Sequence, residues 1–186
     1  EQITDVFLTH VHFDHCGGGI KWNRDKTKFE ATFKNANYWT NKKHWKWATE
    51  PNDREKASFL KENLMPMQEL GQLKFVDDGF DYFEIFYANG HTDAQMIPII
   101  DYQDKKLAFM ADLLPSAGHI PLPYVMGYDT RPLLTLTEKK EFLNRCATEN
   151  IHLFLEHDAT NEVITVQDTE KGVRFKNTFK FNELFI

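Results

Sequence analysis

The sequence predicts a mixed α/β fold, α+β in some schemes, formed as one domain over residues 1–186. Three observations predict it. Short apolar runs recur between Gly, Asp and Asn turns, the pattern of buried strands. Two longer stretches repeat apolar residues at helical spacing. Several of the apolar runs also stop at a histidine or an acid, so chemically active groups are expected along one edge of a sheet.

The elements follow in order. Ile3 to Leu8 reads as a buried strand that runs into His10-Val11-His12-Phe13-Asp14-His15, and Gly17-Gly18-Gly19 then supplies the freedom for a tight exit. Lys28 to Trp47 is aromatic and polar without a clean period and reads as an irregular insertion. Pro51-Asn52-Asp53 is a start signal for a helix from Asp53 to Leu64, with Ala57, Leu60 and Leu64 on its apolar face and Pro66 ending it. Strands are expected at Leu73 to Val76, Phe83 to Tyr87, Met96 to Ile100 and Lys106 to Met110. A second helix covers Leu136 to Glu149 with Thr137 as N-cap, and Ile151 to Leu155 is a strand leading into Glu156-His157-Asp158. Val173 to Phe175 and Phe179 to Phe185 supply a closing strand and a terminal segment.

Composition narrows the function. A hydrophobic content of 41% with 27% charged residues is that of a globular protein. A net charge of -6 argues against nucleic-acid binding, which needs clustered Lys and Arg, and the basic island Asn41-Lys42-Lys43 reads as solvated surface. No apolar run approaches the roughly 20 residues of a membrane span, and no signal peptide opens the chain. Cys16 and Cys146 lie far apart and form no CxxC unit, which fits a reducing cytoplasm.

The segment from His10 to His15 carries the chemistry. In extended backbone, residues two apart face the same side, so His10 and His12 can aim at one point while Val11 faces away. Asp14 and His15 come after the chain has begun to turn and can serve a second point nearby. Gly90-His91-Thr92, Ala111-Asp112 and Glu156-His157-Asp158 each stand at the end of an apolar run. Imidazole and carboxylate donors without thiolate suit zinc, with iron or manganese chemically compatible. Thr9, Thr92 and Asp158 are placed to orient imidazoles or to cap turns. His44 reads as exposed, His152 as structural and Cys16 as a small packed residue.

HVHFDH, then GHT, then an aspartate closing one strand and a histidine closing another, in this order over residues 3 to 158, resembles the metallo-β-lactamase superfamily. The resemblance implies an αββα sandwich. It also implies two zinc ions, one held by His10, His12 and His91, the other by Asp14, His15 and His157, with Asp112 bridging both. The implied activity is hydrolysis, by a hydroxide that the two ions activate, of a small ester, lactone or phosphotriester, with Asp14 and Asp112 as the catalytic carboxylates. Other superfamily chemistries, such as a glyoxalase-II-like thioesterase, are the nearest alternatives. A metal-stabilised binding module without catalysis is the alternative of another class.

The aromatic insertion and PNDREKASFLKENLMP resemble the branch of lactonases and methyl-parathion-type hydrolases. That places His119, Tyr124, Trp39 and Trp45 as candidates for a small-molecule pocket. Acyl-homoserine lactonases often carry a tyrosine three positions after the bridging aspartate, where this chain has Pro115. Glu1 stands nine residues before His10, and nothing matches the family's earlier strand with its Asp-X-Gly motif. The N-terminal part of the sandwich is therefore expected to be missing, and the uncovered apolar edge favours a homodimer.

Overall fold

The computed structural model describes residues 2–184, in two compact units divided between Asp81 and Tyr82. The first unit runs β1 (Asp5–Phe7), α1 (Phe13–Cys16), β2 (Ile20–Trp22), β3 (Phe29–Ala31), β4 (Asn37–Thr40), α2 (Lys42–Thr49), α3 (Lys61–Glu69) and β5 (Leu73–Phe75). β4 lies between β1 and β5 in a three-stranded parallel sheet, with Phe7 opposite Trp39 and Tyr38 opposite Leu73. Parallel neighbours need long crossovers, and the segment between β1 and β4 contains α1 and the β2–β3 hairpin. Leu8, Val11, Tyr38, Trp45, Leu64 and Met67 form the core of this unit.

Three expectations are corrected here. The stretch from Lys28 to Trp47 is regular, because it holds β3, β4 and the start of α2. Its strands are only three and four residues long, too short to show alternation. The helix expected from Asp53 to Leu64 is displaced to Lys61–Glu69, and Pro66 lies inside it. The side chain of Asn52 accepts from the backbone N–H groups of Arg54 and Glu55 at 2.9 and 3.1 Å, a local turn that competes with helix. Gly19, finally, serves close packing: a Cβ there would lie 2.9 Å from the ring of Tyr38, whose hydroxyl donates to the Gly19 carbonyl.

The second unit runs β6 (Glu84–Ala88), β7 (Gln95–Tyr102), β8 (Lys105–Phe109), α4 (Pro132–Glu149), β9 (His152–Phe154), β10 (Val163–Gln167), β11 (Arg174–Phe179) and α5 (Phe181–Leu184). Its six strands are ordered β11-β10-β9-β8-β7-β6 and pair antiparallel except for the parallel β8–β9 pair, which α4 connects. Phe142, Leu143 and Cys146 of α4 join a buried core with Ile97, Ala108 and Leu153 of the strands. α4 begins at Pro132, not near Thr137, because proline at the first helical position is already set at the helical φ. Thr137 donates back to the Leu133 carbonyl within the helix. The terminal segment expected to reach Phe185 is described as far as Leu184.

Candidate metal centre

In the first unit the site is built where β1 ends. Leu8 still bonds to the Trp39 carbonyl, and the chain then turns through His12 into α1. The His10 and His12 rings stand 4.7 Å apart, nearly perpendicular, and His15 packs 3.9 Å from His10. Asp14 Oδ2 lies 3.5 Å from His15 Nε2, and its side chain keeps 44% of its surface exposed. His10, His12, Asp14 and His15 are therefore one local cluster, buried at its imidazoles and open at its carboxylate.

The cluster is held from behind. His44, expected on the surface, is fully buried because Asn41 caps α2 by accepting from the His44 N–H at 2.7 Å, turning that residue inward. Its Nε2 accepts the Val11 N–H at 2.9 Å, between the two ligand-type histidines. Thr9 Oγ1 lies 3.2 Å from His10 Nδ1. Glu55 Oε1 lies 3.4 Å from His12 Nε2. Cys16 donates to the Val11 carbonyl, and burial pushes its thiol up to about 12, so it packs as a neutral residue and supplies no thiolate.

The second unit supplies a matching set. Phe109 of β8 pairs with Phe154 of β9 in parallel register, so Asp112 and His157, each three residues further on, emerge at the same sheet edge. β7 is antiparallel to β8, which brings the 89–94 turn with His91 to that edge as well. Ala94 and Ala111, both beside this edge, have positive φ values of 56° and 41°, conformations that non-glycine residues hold only under surrounding constraint. Asp112 Oδ2 lies 3.0 Å from His91 Nε2, and Asp112 Oδ1 lies 3.2 Å from His157 Nε2. Glu156 joins Asp112 and His157, each offering a donor atom within 4.8 Å of the others.

Residues with no motif of their own hold this edge. Asp129 Oδ1 lies 3.0 Å from His91 Nδ1. The Glu138 carboxylate accepts from the backbone N–H groups of Asn89 and Gly90, and Arg131 donates to the Asn89 carbonyl. Burial works against a charge on His91, but its hydrogen bonds to Asp112 and then Asp129, which accept, outweigh it and push the imidazole up to about 9. Asp158 caps the following turn by accepting from Thr160 and Asn161, and it also accepts from Ala117 at 2.9 Å. These backbone donors overcome burial and hold its carboxyl down at about 2.

The pocket candidates fall in different settings. His119 Nδ1 meets Ser116 Oγ at 2.8 Å, and burial, then the charge of Lys139, lowers its pKa. Tyr124 is exposed, and its carbonyl is gripped by Lys139. Trp39 donates to Asp5 at 2.7 Å and packs on Phe80, whereas Trp45 is buried in the core of the first unit. Neither His44, Glu55, Asp129 nor Glu138 is visible in the sequence as a site residue, since their partners lie 33 to 49 positions away.

The model of the family described as the metallo-beta-lactamase superfamily matches residues 1–145. No curated protein sequence matches. Solved structures do. AidC, a dizinc quorum-quenching lactonase in complex with a product, is 23% identical with a TM-score of 0.75 over 95% of this chain and 65% of its own. A probable metal-dependent hydrolase from Staphylococcus aureus is 21% identical, with a TM-score of 0.77 over 97% of this chain and 65% of its own. The hydrolase AbOPH of the beta lactamase superfamily is 18% identical, with a TM-score of 0.79 over 97% and 66%. The chain thus spans about 65% of the length of these structures. With the family match running through the histidine cluster, His91 and Asp112, the chain belongs to the metallo-beta-lactamase superfamily.

Proposed function

We propose that this chain acts as one catalytic domain in which His10, His12, Asp14 and His15 join His91, Asp112 and His157 around two zinc ions, and that it hydrolyses a small ester, lactone or phosphotriester. The single observation that carries the reading is Asp112, which turns one carboxylate oxygen to His91 and the other to His157. That is the disposition required of a carboxylate shared between two ions. Each unit's set is chemically incomplete alone, because the first lacks a shared carboxylate and the second has only two imidazoles. The donor chemistry fits the ions: buried imidazoles and carboxylates, with the nearby cysteine held as a neutral thiol.

When bound, a pair of such ions supplies a Lewis acid for a substrate oxygen and lowers the pKa of a shared water towards about 7. The chain's own residues do the rest. Asp129 and Glu138 keep the His91 turn in place, His44 and Glu55 keep the His10–His12 turn, and the solvent-facing carboxylate of Asp14 would orient water or carry its proton. The lactonase and hydrolase structures of like fold support a small-molecule substrate. Pro115 in place of a tyrosine argues against a homoserine-lactone substrate bound in the usual way, unless the exposed Tyr124 or Tyr128 contributes the phenol. Two free, buried cysteines are in keeping with a cytoplasmic site of action.

The test is metal content together with turnover on a lactone, an aryl ester and an aryl phosphotriester, for the wild type and for Asp112→Ala and His157→Ala. About two ions per chain and loss of turnover in both variants are expected. Unchanged turnover in either variant rules the reading out. Zinc-dependent stability with no turnover on any of the three would leave a metal-stabilised binding module.

A further inference from the structure

We infer that Glu55 is a positioning residue for His12: it holds the proton of this imidazole on Nε2 and so leaves Nδ1 as the atom offered to a metal ion. The inference rests on the metal-centre reading for its purpose but on local geometry for its substance. Glu55 is 3% exposed, too buried for a carboxylate unless its oxygens are matched by donors. Oε2 receives two of them, the Trp47 indole N–H at 2.8 Å and the Asn52 amide at 2.6 Å. Oε1 is turned to His12 Nε2 at 3.4 Å. A carboxylate accepts only, so the ring nitrogen facing it is the donor.

The surrounding chain is arranged to present this carboxylate. Asn52 makes the turn that carries Glu55, accepting from the Glu55 N–H while its amide donates to the same side chain. Three residues later, the Ser58 carbonyl accepts the Phe13 N–H at 2.9 Å, and the Phe59 ring packs 4.8 Å from the His12 ring. The segment from Asn52 to Phe59, where a helix is expected to start at Asp53, is therefore a shelf under His12. A carboxylate bonded to the far nitrogen of a ligating histidine fixes the ring's orientation and makes it a better ligand, and loss of such a partner lowers metal affinity about 10- to 100-fold.

Two measurements on the whole chain test this. Long-range proton–nitrogen NMR of the metal-free protein at pH 9, where an ordinary imidazole is neutral, should find the His12 proton on Nε2; a proton predominantly on Nδ1 overturns the inference. Competition with a chromogenic chelator should then show zinc affinity falling about 10- to 100-fold in Glu55→Ala. It should fall less in Glu55→Gln, whose amide oxygen can still accept from Nε2, and not at all in the exposed control Asp53→Asn. An affinity within twofold of wild type in Glu55→Ala overturns the inference too. If Glu55→Ala does not fold, the near-isosteric Glu55→Gln and the NMR result decide it. Neither measurement follows turnover, so failure to hydrolyse any substrate would sink the proposed activity and leave the role of Glu55 standing.

Discussion

His44 Nε2 accepts the backbone N–H of Val11 at 2.9 Å, and by doing so anchors the one residue that separates His10 from His12. Acceptance at Nε2 requires the ring proton on Nδ1. His44→Ala leaves a buried N–H without its acceptor, which costs about 1–3 kcal/mol, and frees the turn that sets the two imidazoles. Urea denaturation should show that loss, and chelator competition should show weaker zinc binding in the folded variant. A variant with wild-type stability and affinity would mean that the turn is set by α1 and the β1 strand alone.

Gly90 has a different constraint. A Cβ at this position would stand 2.2 Å from Thr135 Oγ1 and 2.5 Å from the Thr135 backbone nitrogen, so the first turns of α4 pack directly on the backbone beside His91. Gly90→Ala must push helix and turn apart, and overpacking of this kind costs about 3 kcal/mol. The lowered midpoint should come with lowered turnover, because the displaced residue adjoins a proposed ligand. Glu138→Gln is expected to act at the same place by a different route: one oxygen can still accept from both Asn89 and Gly90, but the other, which accepts from the Asn89 backbone and side-chain N–H groups, becomes an NH2 that faces those donors.

How much of this was legible in the sequence depends on whether a partner is near along the chain or set by register. Asp112 and His157 were legible because each follows its own apolar run, and the parallel pairing of Phe109 with Phe154 then places both at one edge. Asp129 was not, because nothing in its neighbourhood distinguishes it from a loop aspartate, and its histidine lies 38 residues earlier. The lysine neighbours of His44 point to an exposed residue; the deciding signal is the Asn41 cap, which fixes the face of α2 on which His44 falls together with Trp45 and Ala48. The start signal at Pro51-Asn52-Asp53 reads as helix because Asx turns and N-caps use the same side-chain chemistry, and the tertiary contacts of Glu55 separate them.

Zinc removal gives a simple outcome if the two half-sets bind ions. Buried imidazoles and carboxylates left without ions should make the chelator-treated protein less stable. Each tightly held ion stabilises the folded state by about 2.7 kcal/mol when free zinc is a hundredfold above its dissociation constant. Differential scanning calorimetry with and without added zinc should show a concentration-dependent midpoint, and Asp112→Ala should remove most of the dependence. A midpoint indifferent to zinc in the wild type would count against any metal centre in this chain.

Lys139 supplies the pH-dependent prediction. It is fully buried in α4, and its Nζ donates to the carbonyls of His119, Pro121 and Tyr124, tying down the loop that follows Asp112. Burial pushes the amine down from 10.5 to about 8. Between these two values the unfolded chain binds more protons than the folded one, so the contribution of Lys139 to stability rises with pH from about 8 towards 10.5 and is at its least favourable below about 8. Lys139→Met removes that dependence, and it also leaves three carbonyls without their donor and frees the loop carrying His119 and Tyr124. The stability difference between wild type and variant, followed by denaturant unfolding from pH 7 to 11, should therefore grow in favour of the wild type above pH 8 and level off near 10.5. A difference that is flat across this range would show that the three carbonyls hold the amine charged as firmly as water does.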